Sequence, residues 1–262
     1  MKTISRTSLD SLFQAISAQR KLYIPADDGA GQAKFAPWTE GLALSGGLNT
    51  VRSAKDLFFP QVETLTGFKV NGKTLEIIDD RTEVVPFAVF GVRACDCRSF
   101  DILDSVFLAD PVDSFYAARR EASLVITLAC GKPAETCFCG AFGIDAADPA
   151  GDVTCWLTED ALYWRANTEK GAALTEALPL TDCGDDAVTA AQEKTRQILG
   201  KLPLKDLDLT GFGRDELLNL FRSEKWDDLS RSCLGCGTCT FVCPTCQCYD
   251  IKDYDTGHGI CR

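Results

Sequence analysis

The stretch Val84–Phe107, VVPFAVFGVRACDCRSFDILDSVF, joins two kinds of periodicity. Val84 to Val92 is apolar except for interruptions at Pro86 and Gly91, as expected of a strand buried on both faces. From Ser99 onward, Phe100, Leu103 and Phe107 share one helical face. Cys95 therefore falls where a strand gives way to a helix N-terminus, and the positive end of a helix favours a thiolate. A second apolar run, Ser123 to Ala129, ends at Cys130. The string CGKPAETCFCG follows, carrying Cys137 and Cys139. The two strand ends are expected on one edge of one sheet.

The rest of the first two hundred residues reads as mixed α and β. Leu9, Leu12, Phe13 and Ile16 are spaced i, i+3, i+4, i+7, which predicts a helix over residues 8 to 20 with Ser8 as N-cap. A short strand, Leu22 to Ile24, is expected to end at Pro25. Residues 68 to 78 form a hairpin candidate around Asn71-Gly72, a type I′ turn pair. A strand pair is expected over 153 to 166, with helices near 170 to 177 and 186 to 200. Lys201 to Gly213 has linker composition. Helical patterning then resumes over 215 to 222 and 226 to 230. No G-x-G-x-x-G or Walker A string occurs, and the pieces are too irregular for a Rossmann alternation. The expected class is α+β, with a mixed α/β domain over 1–205 and a mainly helical ferredoxin-like domain over 206–262.

That second domain holds CLGCGTCTFVCPTCQC, Cys233 to Cys248, in which six cysteines fall within sixteen residues. Cys233, Cys236, Cys239 and Cys243 have the spacing C-x2-C-x2-C-x3-C-P of iron–sulfur ferredoxins. Gly235 and Gly237, without Cβ atoms, allow backbone N–H groups close to the sulfurs. Zinc is the rival cargo, but structural zinc sites usually pair two short Cys knuckles across a longer spacer. So many reduced thiols with no metal would be an oxidation liability.

Composition removes other classes. The chain has 262 residues, of which 45% are hydrophobic, so it can bury a core, and its 14 cysteines need not be a disulfide scaffold. Its net charge of -11 argues against nucleic acid, which needs clustered Lys and Arg. His258 is the single histidine, leaving little for acid–base catalysis. Neither a membrane span nor the apolar core of a secretory signal is found, so no membrane insertion and a cytoplasmic, reducing location are expected. Cys155 and Cys183 stand alone and read as ordinary packing or surface residues.

With SAKDLFFPQ (Ser53 to Gln61), Glu63, Gly91 to Asp96, Cys130 to Cys139 and Cys233 to Cys248, the chain resembles a family of iron–sulfur electron-transfer subunits. The family groups the beta subunit of soluble sulfhydrogenases with the A subunit of anaerobic sulfite reductase. The resemblance implies single-electron relay in an anaerobic oxidoreductase complex, between a flavin- and NAD(P)-linked reductase subunit and a catalytic subunit. It implies about three [4Fe-4S] clusters and no substrate chemistry on this chain alone. Four ligands are expected in the N-terminal domain, and Cys95, Cys130, Cys137 and Cys139 fill that number. Cys97 stands where the family usually has an aliphatic residue; it is either a buried neighbour or a substitute for Cys95. C-terminal donors come from Cys233, Cys236, Cys239, Cys243, Cys246, Cys248 and Cys261, with His258 in reach. Cys243 can serve a second cluster, as in two-cluster ferredoxins. Eight donors are needed for two cubanes and family members continue further, so the natural polypeptide is expected to be longer. The acidic scaffold disfavours an added electron and pushes cluster potentials low. Two alternatives stay open: an oxidoreductase with its own flavin in the N-terminal domain, and a structural or sensing metal-binding module.

Overall fold

The computed structural model describes residues 1–78, 83–213 and 215–255, so His258 and Cys261 lie outside the described residues. In chain order its strands are β1 (Lys2–Ser5), β2 (Lys21–Asp27), β3 (Ala33–Pro37), β4 (Gly67–Asn71), β5 (Thr74–Ile78), β6 (Phe87–Val92), β7 (Ser123–Leu128), β8 (Val153–Leu157), β9 (Ala161–Ala166) and β10 (Thr181–Asp182). The helices are α1 (Leu9–Ser17), α2 (Ala94–Phe107), α3 (Ser114–Ala122), α4 (Glu169–Glu176), α5 (Asp186–Leu199), α6 (Leu217–Phe221), α7 (Lys225–Ser230) and α8 (Thr238–Val242).

Eight strands form one mixed sheet in the order β10-β1-β9-β8-β7-β6-β2-β3. Its centre, β2, β6, β7 and β8, is parallel, and the remaining pairs are antiparallel. Alternation explains why β6 and β7 read as nearly continuous apolar runs. Ala88, Phe90, Leu124 and Ile126 pack with Leu12, Phe13 and Ile16 of α1. Phe87, Val89 and Val125 face the other way, against Phe58, Phe100, Leu103 and Tyr116. Successive side chains of a strand point to opposite faces, and here both faces are covered.

Three local expectations need correction. Strand β2 runs through Pro25 to Asp27. Its parallel pairing with β6 covers only Lys21 to Tyr23, so the missing N–H of Pro25 breaks no bond to β6. The hairpin of β4 and β5 pairs Asn71 with Thr74, which makes Gly72-Lys73 the turn. Type I′ needs two residues of positive φ, and among the described residues only glycines have one. Ser8 precedes α1 but makes no side-chain cap; Ser5 caps the preceding 3-10 turn, accepting from the Thr7 N–H.

The segment after β3 binds the two parts of the chain. Ser53 caps a 3-10 turn over Ala54–Leu57, accepting from the Lys55 N–H at 3.2 Å. Phe58 is fully buried, 4.5 Å from the Phe100 ring and 5.5 Å from that of Phe87. Glu63 forms an ion pair with Arg119 of α3. Phe59 stacks on Phe107 at 4.9 Å and meets Tyr249 edge-on at 6.2 Å. Core packing is thus the role of Phe58, while Phe59 reaches the C-terminal cysteine segment.

Candidate metal centres

The first group of cysteines is built at the carboxyl ends of β6 and β7. The register between these strands shifts between Phe90 and Val92, leaving Gly91 as a bulge with φ +87°. A Cβ on Gly91 would lie 2.8 Å from Cγ of Pro25, so only glycine fits here without displacement. The bulge turns the chain into Arg93, the N-cap of α2, with Cys95 in the first helical turn. Arg93 donates from Nε to the Leu48 carbonyl (2.8 Å) and from Nη1 to those of Leu128 (3.2 Å) and Ala129 (3.0 Å). Its Nη2 donates to the Gly47 carbonyl at 3.3 Å. One side chain therefore fastens the loop before α2 to the chain leading into Cys130. Asp101 pairs with Arg98 of the same helix.

Cys130 is held by its own backbone. Its N–H donates to the Ala146 carbonyl at 2.9 Å, and its carbonyl accepts from the Thr195 hydroxyl of α5 at 2.7 Å. Cys137 donates its N–H to the Ala134 carbonyl, and Cys139 begins a 3-10 turn that ends at Gly143, φ +67°. The loop is anchored further on by Asp145 with Arg196 (2.7 Å) and by Trp156 Nε1 donating to the Ala147 carbonyl (2.7 Å).

These placements bring the four cysteines into electrostatic range. Cys95 senses Cys130 and Cys139, Cys130 senses Cys139 and Cys137, and Cys139 senses Cys137. Among the described residues, however, no three His, Cys, Asp or Glu side chains converge in a metal-holding arrangement. The Cys95 residue reaches the surface as a whole, but its sulfur sits within the surrounding protein mass. Burial, then Asp96, then Cys130 push its thiol up to about 12. The thiolate expected from the helix terminus is therefore not favoured in the protein by itself: desolvation outweighs the helix end. Burial is also the main reason that Cys130 and Cys139 lie above the usual thiol range, and it lifts Asp96 to about 6 against the pull of Arg93.

Cys97 is turned away from this group. Residues two apart on a helix point about 200° from one another. Its thiol donates to the Ala150 carbonyl at 3.3 Å and packs beside the cluster containing Phe100 and Leu103. Burial and Asp101 push it up to about 12, and no cysteine is among its charged neighbours. Cys97 is half-buried, as is Cys183, whereas Cys155 is fully buried in the core.

The second group is local and open. Cys233, Cys236, Cys239 and Cys248 are exposed, while Cys243 and Cys246 are half-buried. Gly235, φ +67°, and Gly237, φ +71°, shape the turn into α8, and the Gly235 N–H donates to the Cys233 sulfur at 3.4 Å. Hydroxyls lie beside two sulfurs: Thr238 at 3.2 Å from Cys236 and Thr245 at 3.3 Å from Cys243. The Thr238 hydroxyl, with its N–H, holds the Cys236 thiol below its usual range. At Cys243 burial works upward, but Thr245, the Cys246 N–H and Lys55 together bring the thiol down. Neither threonine stood out in the sequence, although Cys-x-Thr occurs twice and predicts just such contacts. Trp226 is half-exposed, its indole N–H donating to the Leu220 carbonyl at 2.7 Å.

Fold and cysteine placement together define a cysteine-rich mixed α/β protein with one thiol group at a sheet edge and another in a ferredoxin-type run. Over 169 residues, 64% of this chain, it is 33% identical to the sulfhydrogenase 2 subunit beta of Pyrococcus furiosus. The matched stretch is 50% of that protein, so the chain spans about half the length of this curated relative. No protein-family model matches the chain. No solved structure matches it either. Among the described residues no helix is long and apolar enough to cross a membrane.

Proposed function

We propose that the chain is an electron-transfer subunit that carries [4Fe-4S] clusters in a hydrogenase- or sulfite-reductase-type oxidoreductase complex. One cluster is held by Cys95, Cys130, Cys137 and Cys139, in a domain ending near residue 205. Cys233, Cys236, Cys239, Cys243, Cys246 and Cys248 supply the C-terminal site, with Cys261 available beyond it. The observation that carries this reading is the gathering of Cys95, Cys130, Cys137 and Cys139 beyond the carboxyl ends of β6 and β7, each within charge–charge range of at least one other of the four. An all-thiol donor set suits iron–sulfur clusters. Similarity to a sulfhydrogenase beta subunit supports the same reading.

Such clusters supply one-electron transfer when bound. The protein's part is to hold and tune them. Closing four thiols from charge–charge range to ligand distance requires the loop 130–139 and the start of α2 to draw together, and binding must also release the thiol protons that burial retains. Backbone N–H groups of Cys139 and Gly140 at one sulfur, and hydroxyls of Thr238 and Thr245 at others, are donors able to favour thiolate charge. A relay also needs a source and a sink. The partners are a flavin- and NAD(P)-linked reductase subunit and a catalytic subunit.

Anaerobically isolated protein tests this. Iron and acid-labile sulfide are expected in equal amounts, with an EPR signal after dithionite. Colourless protein holding stoichiometric zinc would contradict the reading, and flavin bands released by acid would favour an oxidoreductase with its own flavin.

A further inference from the structure

Lys55 is a buried charge whose amine reaches into the C-terminal cysteine run. Its residue is 6% exposed, and Nζ donates to the Cys243 carbonyl at 2.8 Å and the Cys246 carbonyl at 3.0 Å. Among the described residues no carboxylate is in ion-pair contact with it. The neighbouring Asp56 is taken by Arg52 at 2.9 Å, and Arg52 in turn lies over the Phe241 ring at 5.5 Å. A buried cation is ordinarily paired, because removing it from water is costly and carbonyl dipoles compensate only in part. The bonds to carbonyls around the end of α8 resemble a helix C-cap. A cap explains the contacts, while the neighbouring Asp56 carboxylate, though within charge range, is bonded to Arg52 and leaves the Lys55 amine resting on carbonyl dipoles. Four cysteine thiolates around a cubane would supply an anion at that end of the side chain.

We propose that Lys55 is the counter-charge of the cluster held by Cys243 and Cys246, a positioning residue contributed by the N-terminal domain that raises that cluster's reduction potential. The inference rests on the iron–sulfur reading of the C-terminal cysteines. A fixed cation beside a cluster stabilises the reduced, more negative form. Because Lys55 belongs to the turn that buries Phe58 against α2, the same contact couples the potential of one domain's cluster to the packing of the other.

The test is an EPR-monitored redox titration of the full chain with Lys55→Gln and Lys55→Arg, alongside iron and sulfide analysis. Glutamine keeps a hydrogen-bond donor and removes the charge. Lys55→Gln is expected to keep its iron and to bind the electron at one centre about tenfold more weakly, a fall of ~59 mV for a one-electron couple. Other centres should not move, and Lys55→Arg should stay within about threefold of the unsubstituted protein. Loss of C-terminal iron in Lys55→Gln with retention in Lys55→Arg also supports the proposal, since the variant that keeps the charge keeps the iron. Unchanged potentials in an iron-replete Lys55→Gln protein would overturn it and leave Lys55 a helix cap. Equal iron loss in both variants would overturn it too. An unsubstituted protein lacking iron and sulfide defeats the iron–sulfur reading itself, and is thereby distinguished from failure at Lys55.

Discussion

The two cysteine groups differ in how the protein treats the same side chain. At the sheet edge, thiols from α2 and from the loop after β7 are desolvated, and burial pushes Cys95 up to about 12. In the run from Cys233 to Cys248, hydroxyls and backbone N–H groups reach an exposed sulfur at Cys236 and a half-buried one at Cys243, and both thiols fall below the usual range. The first site is made by tertiary structure, from residues far apart in the chain. The second group is gathered by local turns, with Lys55 bonded to the carbonyls of Cys243 and Cys246. A thiolate site can thus be poised to take metal, or can keep its protons until metal displaces them.

The sharpest consequence is chemical. On chelator-treated protein at pH 8, iodoacetamide followed by mass spectrometry should label Cys236 and Cys243 on the order of a hundredfold faster than Cys95 and Cys97. A thiol near 12 is thiolate only to the order of 10⁻⁴ at that pH, a deficit partly offset by the greater nucleophilicity of the more basic sulfur. Equal rates would erase the contrast. Raising the pH should narrow the ratio, because the high-pKa thiols have the most thiolate still to gain.

Gly91→Ala strikes the tertiary site alone. A side chain at φ +87° against Pro25 is expected to destabilise the fold by about 2–4 kcal/mol in urea titration. It should also displace Cys95 and lower N-terminal iron while sparing the C-terminal centre.

Asp96→Asn probes the cost of desolvation at the sheet edge. The Asp96 carboxyl is raised to about 6 by burial. Its contribution to stability is therefore present below the ordinary carboxylate range near 3.8 and is lost as pH rises through about 6. The asparagine variant should match the unsubstituted chelator-treated protein near pH 3.5. Above pH 6 it should exceed it by on the order of 2–3 kcal/mol in thermal melts. A gain that is the same at both pH values would remove burial as the cause.

The smallest effect belongs to Cys97→Ala. It loses a weak bond to the Ala150 carbonyl and a little packing, about 1 kcal/mol, with no loss of iron. Iron loss there would return Cys97 to the ligand set and break the separation of the two faces of α2.

What the sequence discloses follows the range of the forces involved. Apolar runs marked β6 and β7, because burial on both faces leaves few polar positions, and helical periodicity marked α1 and α2, which are buried on one face. The junction at Cys95 was legible for the same reason, and so was the shared edge that brings Cys130 near it. Pro25 misled, since a proline stops a strand only where its N–H is needed, and β6 ends its pairing at Tyr23. The protonation of Cys95 is not legible along the chain, because the helix end is local and visible whereas desolvation depends on what packs around the sulfur. Lys55 sat in a recognised motif, yet nothing along the chain indicates that its amine meets residues 188 and 191 positions later.

The contrast between the two groups is tested most directly by counting iron per chain, with EPR of the reduced protein, in Cys130→Ser and Cys243→Ser prepared anaerobically. Each variant is expected to lose the iron of one cubane, about four atoms, and to keep the other site's signal. Full iron retention in both variants, or no iron in the unsubstituted protein, would contradict it.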